Sequence, residues 1–295
     1  MAETVRPGRA TPGIAADADR SARDWAEKAG VEIEVVTAEA GARQAVGVLA
    51  GVWPQPDGHL PVTPELAWAL AHSGNYVAVA RHGAEPVAAA LAFRGVDGLG
   101  AYLHSHMVGV LPAHQGANVG FALKQHQRAW SLEQGLGRVT WTFDPLVARN
   151  AFFNVMKLGA RLTSYYVDFY GELTDGVNAG DESDRCLVTW WLDDHRAVKA
   201  ADGSVAHCDL AALRAAGAVD VLSPGPAGEP VLGDHQPGQA LLARVPSDVV
   251  RLRNDAPSTA RAWRSALRHV LSAAFEEGLQ VSAVGRDGTY VISPA

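Results

Sequence analysis

The chain has 295 residues, 48% of them hydrophobic, and a formal net charge of −7 at pH 7. That length and apolar content support a sizeable core and exceed what one small domain needs. Lys and Arg are scattered along an acidic chain, which argues against nucleic acid as the main partner. No run reaches the roughly 18 apolar residues of a membrane span, and the N-terminus lacks an apolar signal core. The only cysteines, Cys186 and Cys208, stand in no metal-like spacing and indicate a reducing, cytoplasmic setting without a disulfide framework or a bound metal.

Residues 1–24, rich in Ala, Gly, Pro, Arg and Asp without periodicity, read as a flexible tail. Val31 to Val36 alternates apolar and acidic residues as a half-buried strand does, and Ala38 to Trp53 follows as a helix with Val46, Leu49 and Trp53 on one face. Pro54 to Gly58 breaks the chain. A second helix is predicted from Pro64 to His72, with Thr63 as N-cap and proline in the first turn. Tyr76–Arg81 and Val87–Arg94 form a hairpin through His82-Gly83, and a third strand runs from Ala101 to Leu111. A helix over 119–134, a strand over 138–143, a helix from Val147 to Leu158, a strand over 161–170 and one from Cys186 to Leu192 complete a domain spanning 25–192. Between the last two strands lies a polar insertion, 172–185, a candidate lid or substrate loop. The remainder, 193–295, reads as an extension or small second domain. It has an irregular connection to residue 240, a strand from Ala240 to Val245, an amphipathic helix from Thr259 to Glu277 and a final hairpin.

The most informative stretch is VGVLPAHQGANVGFALK, Val108 to Lys124. Val108, Gly109 and Val110 end a strand that Pro112 cannot continue, and Val119 opens a helix. Between them Gln115, Gly116, Ala117, Asn118 and Gly120 are small or tolerant of a left-handed backbone. Such a turn leaves the first helical N–H groups to an anion, with pyrophosphate the natural guest.

Strand, Gln-x-x-Asn-x-Gly, helix, second strand, then Asn150-Ala151 ahead of Lys157-Leu158-Gly159-Ala160 resembles the GNAT family of acyl-CoA-dependent N-acyltransferases. The family's central motif reads Gln/Arg-x-x-Gly-x-Gly/Ala, so Gln115 and Gly120 match and Asn118 replaces the first glycine. Asn is the non-glycine residue best suited to a positive φ. The resemblance implies an α/β fold with a mixed, largely antiparallel sheet flanked by helices, and an acyl-CoA co-substrate. It implies that Val108 to Val110 offers edge N–H and C=O groups to the pantetheine arm and carbonyl. It also implies that the turn, with Val119, holds the pyrophosphate and that Asn150 touches the cofactor. Lys157 is either a phosphate contact or a solvated helix residue. The family's frequent tyrosine acid falls on Val155, which cannot protonate a thiolate. Tyr165, Tyr166 and Tyr170 are substitutes or strand packing, and Tyr166 is the candidate kept.

For the base, His104 and His106 share one face of a strand leading into the turn, and imidazole titrates where an ammonium group must lose a proton. Asp144, at a strand end before Pro145, either orients the amine or caps a helix. The runs TFDPL, RNAFFN, KLGA, YG and SDR resemble a prokaryotic branch of predicted GNAT enzymes, some acylating amino-acid amines, including with succinyl-CoA. On that resemblance Arg185 is a carboxylate clamp. The expected activity is transfer of an acetyl or other acyl group to a small-molecule amine by direct attack, and a homodimer is compatible with it. The competing reading is a degenerate domain that binds acyl-CoA as sensor or scaffold. Acetylation of a protein N-terminus needs an open groove that the 172–185 loop disfavours.

Overall fold

The structure is a computed structural model that describes residues 12–55, 58–171 and 181–294. The chain is α/β, with a mixed, largely antiparallel sheet flanked by helices and a further C-terminal sheet. It divides into two compact units: the described residues up to Trp141 with Trp191–Asp202, and Thr142–Trp190 with Gly203 onward. The division differs from a boundary at Asp193.

In the first unit, helix α1 (Pro12–Lys28) precedes strand β1 (Glu32–Val35), helices α2 (Glu39–Val52) and α3 (Pro64–His72), and strands β2 (Tyr76–His82), β3 (Glu85–Asp97) and β4 (Gly100–Val110). Helix α4 (Val119–Glu133) and strand β5 (Arg138–Phe143) follow, the last two residues of β5 grouping with the second unit. Strands β1 to β4 pair antiparallel in sequence order, and β5 joins β4 in parallel. Thr63 caps α3 as predicted, its Oγ1 accepting from Leu66 N–H at 3.2 Å. Successive residues of β2 face opposite ways. Val77 and Val79 enter a core with Val46, Leu49 and Leu91, whereas Tyr76 turns to α4, where its hydroxyl meets His126 Nδ1 at 2.8 Å. Both faces of the sheet are therefore covered, which explains the unbroken apolar run of β2.

Helix α1 corrects the expectation of a flexible tail from residue 12 to 24; residues 1–11 lie outside the described part. Ala18 and Ala22 are buried, Trp25 packs edge-on against Phe121 at 4.7 Å, and its indole donates to Ala201 O at 2.8 Å. Alanine-rich sequence is strongly helical even where large apolar residues are too few to show a period. An i,i+4 pair of Asp19 with Arg23 adds to it.

In the second unit, helix α5 (Ala148–Phe152) runs into a π turn at Phe153–Lys157, closed by Leu158 N–H to Phe153 O at 3.0 Å, where one continuous helix was expected. Strand β6 (Arg161–Tyr166) stops short of residue 170, because Asp168 turns the chain with φ 46°. It pairs antiparallel with β7 (Arg185–Trp191). The stretch expected to be irregular holds helices α6 (His195–Ala201, in the first unit) and α7 (Leu210–Ala215) and strands β8 (Val219–Pro224) and β9 (Pro230–Leu232). Both helices start on aspartate caps: Asp194 accepts from Arg196 N–H and Asp209 from Ala212 N–H. Strand β10 (Leu241–Arg244), helices α8 (Val249–Asp255) and α9 (Pro257–Glu276) and strands β11 (Gln280–Val284) and β12 (Thr289–Ser293) complete a second sheet, ordered β11-β12-β10-β8-β9. Helix α9 buries Trp263, Leu267, Val270 and Leu271, the face its periodicity predicts.

Candidate functional site

The polar turn has the backbone that an anion cradle needs. After a short 3-10 turn at Pro112–His114, Gly116 takes φ 85° and Asn118 takes φ 62°, ψ 10°. Asparagine thus occupies the left-handed position that the family motif gives to glycine. The Asn118 side chain makes no capping hydrogen bond at the start of α4, and Gln115, Gly116, Ala117 and Asn118 are exposed. Helix geometry aims the N–H groups of Val119 and Gly120 past that turn, at the positive end of the helix dipole. The Gln115 side chain instead folds back, donating to Val110 O at 3.0 Å. Gly120 has ordinary helical φ, and a Cβ there would lie 3.6 Å from Val110 Cγ2, so its own fold does not demand glycine. Gly109 is more tightly placed: a Cβ would lie 3.0 Å from the side chains of Val52, at the end of α2, and Trp53 just after it, so those side chains would have to give way by a few tenths of an ångström.

Beside the turn, β4 carries a bulge. Leu91 pairs with Met107 and Phe93 with His104, leaving one extra residue in β4 at Ser105-His106. The parallel ladder to β5 has only two rungs, Leu103 to Val139 and His104 to Thr140, and no further rung follows among the described residues. From Ser105 to Val110, β4 therefore runs on beyond its ladder with β5, which leaves edge groups available to an extended ligand.

His104 and His106 share a face as predicted, their rings 6.2 Å apart and both against Phe93. His104 Nδ1 lies 3.2 Å from Thr140 Oγ1. Burial lowers the His104 pKa to about 4, with His106 and Lys124 adding to the effect through their charges. Burial also lowers that of His106, whose ring keeps an exposed side. Both imidazoles are neutral at physiological pH, though so low a value makes His104 a weak proton acceptor.

Lys124, read within the motif helix but given no role, is 4% exposed. Its Nζ donates to Ser105 Oγ at 2.8 Å and Gln127 Oε1 at 3.0 Å and sits 3.8 Å from the Trp141 ring centroid. It looked ordinary because the groups that cover it come from β4 and β5, not from its own helix. Gln125, Gln127, Arg128 and Ser131 of the same helix are buried as well, and α1 packs on α4 through Trp25 and Phe121. The signal lay in the run of long polar residues Lys124 to Arg128 held between apolar flanks.

The second unit holds the other candidates. Asp144 is buried and paired with Arg253 and Arg264, its Oδ2 3.0 Å from Arg264 Nη2. It also caps locally, with Oδ1 accepting from Leu146 N–H at 2.9 Å. Burial would raise its pKa, but Arg264 and Arg253 outweigh burial and hold it below the usual carboxylate value. Asp181 joins the same arginines, at 3.1 Å from Arg253 and 2.7 Å from Arg264. These ties explain why residues 142–190 group with the C-terminal stretch.

Arg185 is buried, donates to Asp184 O at 2.9 Å and lies over the Tyr170 ring at 5.4 Å, so its clamp role would require an approach beside that ring. Tyr166 is 37% exposed with its ring against Phe169, and it pairs across the ladder with Arg185. Tyr165 donates to buried Asp184 at 2.6 Å, and Tyr170 meets Thr142 Oγ1 at 3.1 Å. Asn150 is exposed at the start of α5, Lys157 is half-buried at the end of the π turn, and Val155 between them is 1% exposed. Of the polar insertion, residues 172–180 lie outside the described part.

Residues 42–159 match the acetyltransferase (GNAT) family. The chain is similar in structure to a GNAT acetyltransferase of Elizabethkingia anophelis with acetyl-CoA bound, at 14% identity and TM-score 0.41, covering 55% of this chain and 98% of that one. It is likewise similar to the IAA acetyltransferase of Bacillus cereus, at 15% identity and TM-score 0.41 over 54% and 98% of the two chains. A GNAT acetyltransferase of Streptococcus pneumoniae shows 12% identity and TM-score 0.42 over 54% and 97%. Such likeness carries no substrate across. No curated protein matches the chain's sequence.

Proposed function

We propose that the chain is an acyl-CoA-dependent N-acyltransferase. It transfers an acetyl or other acyl group, succinyl included, to the amine of a small molecule such as an amino acid, by direct attack on the thioester. The observation that carries this reading is the left-handed Asn118 turn feeding α4, next to a β4 edge whose ladder to β5 ends at His104. The turn suits a pyrophosphate and the edge suits an amide-rich pantetheine arm.

In this reading the amine nitrogen attacks the thioester carbonyl, the new C–N bond forms, the C–S bond breaks and CoA leaves as thiolate. The amine must shed a proton first, and His104 and His106 of β4, both with pKa values lowered by burial, are the candidate acceptors, with His104 taken as the base. No tyrosine at position 155 stands ready to protonate the thiolate; a CoA thiol at neutral pH departs without one at some cost in rate. Compartment, assembly as a homodimer and the carboxylate role of Arg185 belong to the same proposal.

Buried Val155 specifically favours a second reading, a domain that binds acyl-CoA without turnover. One assay separates the two: thiol release from acetyl-CoA and succinyl-CoA across an amine library, beside calorimetry with CoA. Release with any amine supports the enzyme; CoA binding with no release for every amine supports the sensor; no binding of CoA removes both.

A further inference from the structure

Lys124 is an unusual residue for the place it occupies. It arises one turn into α4, the helix that begins at the anion turn, yet its ammonium ends on β4 and β5. One contact is Ser105 Oγ, in the bulge where β4 leaves its ladder, and another is the Trp141 ring, one residue after the last rung of β5. The third, Gln127, is fixed from the same helix, and its Nε2 has no partner among the described residues. Among the described residues its ammonium meets a hydroxyl, an amide oxygen and a π face, with no carboxylate at ion-pair distance.

Nothing in packing explains this choice. A methionine would fill the same slot without the desolvation cost. The neighbourhood contains few competing charges. From β4 come His104 and His106; from β3, Phe93; from β5, Thr140 and Trp141. Helix α1, packed on α4, brings Asp17 and Asp19, which act on Arg128 and His126. From β2 comes Tyr76, bonded to His126, and the charged residues of α2, Glu39 and Arg43, pair with each other at the surface. Lys124 and the second imidazole are thus the groups whose charges act on His104.

We infer that Lys124 is a positioning residue of the acyl-transfer site: through Ser105 and Trp141, the neighbours in sequence of the hydrogen-bonded pair His104 and Thr140, it holds the point where β4 and β5 part and brings a positive charge to His104. The inference rests on the reading of His104 as proton acceptor, and it deepens that reading by naming what maintains the acceptor. The depression of the His104 pKa, to which Lys124 contributes, agrees with it. The lysine's own pKa, lowered to about 7 by burial, adds that the field weakens as pH rises, where His104 no longer needs it.

The test uses the full chain and Lys124→Met, with Lys124→Arg as the charge-retaining control. His104 is titrated by NMR of its Cε1–H resonance, a readout that needs no turnover. The expected result is a His104 midpoint raised by about half to one unit in Lys124→Met and much less in Lys124→Arg. The acid limb of kcat/KM should move with it, giving about a threefold to tenfold loss at a pH on that limb, while CoA affinity stays within about twofold. An unmoved His104 midpoint in a folded Lys124→Met chain overturns the inference. A moved midpoint without a moved acid limb upholds the action on His104 and removes His104 as the base, which separates this inference from the reading beneath it. If Lys124→Met does not fold, the wild-type Lys124 Nζ is titrated directly. Loss of its proton near neutrality, accompanied by a change at His104, upholds the coupling, and a midpoint near that of a free lysine refutes it.

Discussion

Gly120 offers the sharpest test of the anion turn, because the fold and the ligand make opposite demands on it. It sits at the second position of α4 with ordinary helical φ, and a Cβ there meets only Val110 Cγ2, at 3.6 Å. Gly→Ala in a helix is worth about 0.5–1 kcal/mol, an upper bound this close to the end. Gly120→Ala should therefore leave the melting temperature unchanged or raise it by about 1–4 °C for a chain of this size. For a pyrophosphate the same atoms lie on the line of approach to the N–H groups of Val119 and Gly120. Loss of one charge-assisted hydrogen bond costs about 1.5–3 kcal/mol, so CoA affinity should fall by about tenfold to a hundredfold in Gly120→Ala and further in Gly120→Val. Calorimetry with CoA, beside a thermal melt of each variant, reads both sides. Full affinity in a Gly120→Val chain that melts normally would show that no phosphate reaches this turn.

Three other outcomes follow from the geometry. Asn118→Gly should keep stability and CoA binding, whereas Asn118→Ala, forced to φ 62°, should lose about 1 kcal/mol in urea denaturation; equal costs would mean the turn is not strained for ordinary residues. Arg264→Leu leaves Asp144 and Asp181 sharing only Arg253 and should cost about 3 kcal/mol or more, and the wild type should lose that support in acid. Asp144 has a folded pKa below its unfolded value, so its contribution is complete above about pH 4 and fades as pH drops through the folded value; flat stability from pH 5 to 2.5 would contradict the pairing. Lys124 has the same sign on the alkaline side. With a folded pKa of about 7 against an unfolded 10.5, the unfolded chain binds the extra proton between those values, so stability should rise with pH there and the rise should flatten in Lys124→Met.

What could be read from the residues and what could not divides along a physical line. Elements with strong local signals appear where expected: the proline start and threonine cap of α3, the β2–β3 hairpin, the αL-tolerant Asn118 before α4, the apolar face of α9. Their causes lie within a few residues of sequence. The π turn at Phe153–Lys157 and the bulge at Ser105-His106 insert one residue into an otherwise regular pattern, and no local composition marks which residue is extra. Asp144 illustrates a different limit. Its place at a strand end is visible, but the arginines that occupy it come from α8 and α9, more than a hundred positions away.

The alanine-rich α1 has the widest consequence. Read as a tail, it leaves α4 with a wet side, and every polar residue from Lys124 to Arg128 passes as surface. Built as a helix, it closes that side. The guanidinium of Arg128 then turns inward to Leu192 O at 2.7 Å, His126 to Tyr76, and Lys124 to Ser105 and Trp141. An ammonium that would have been worth little at the surface becomes a field source in a poorly solvated strand junction. The residues that hold an anion are legible because backbone conformation depends on local sequence. The lysine beside it is not, because its burial depends on what packs on α4 from elsewhere in the chain, α1 as well as β4 and β5. Deleting the contact of α1 by Ala18→Asp and Ala22→Asp should accordingly raise the Lys124 midpoint toward that of a free lysine, even though neither substitution lies in α4; an unmoved midpoint in a folded chain would place the cause of its burial in the sheet alone.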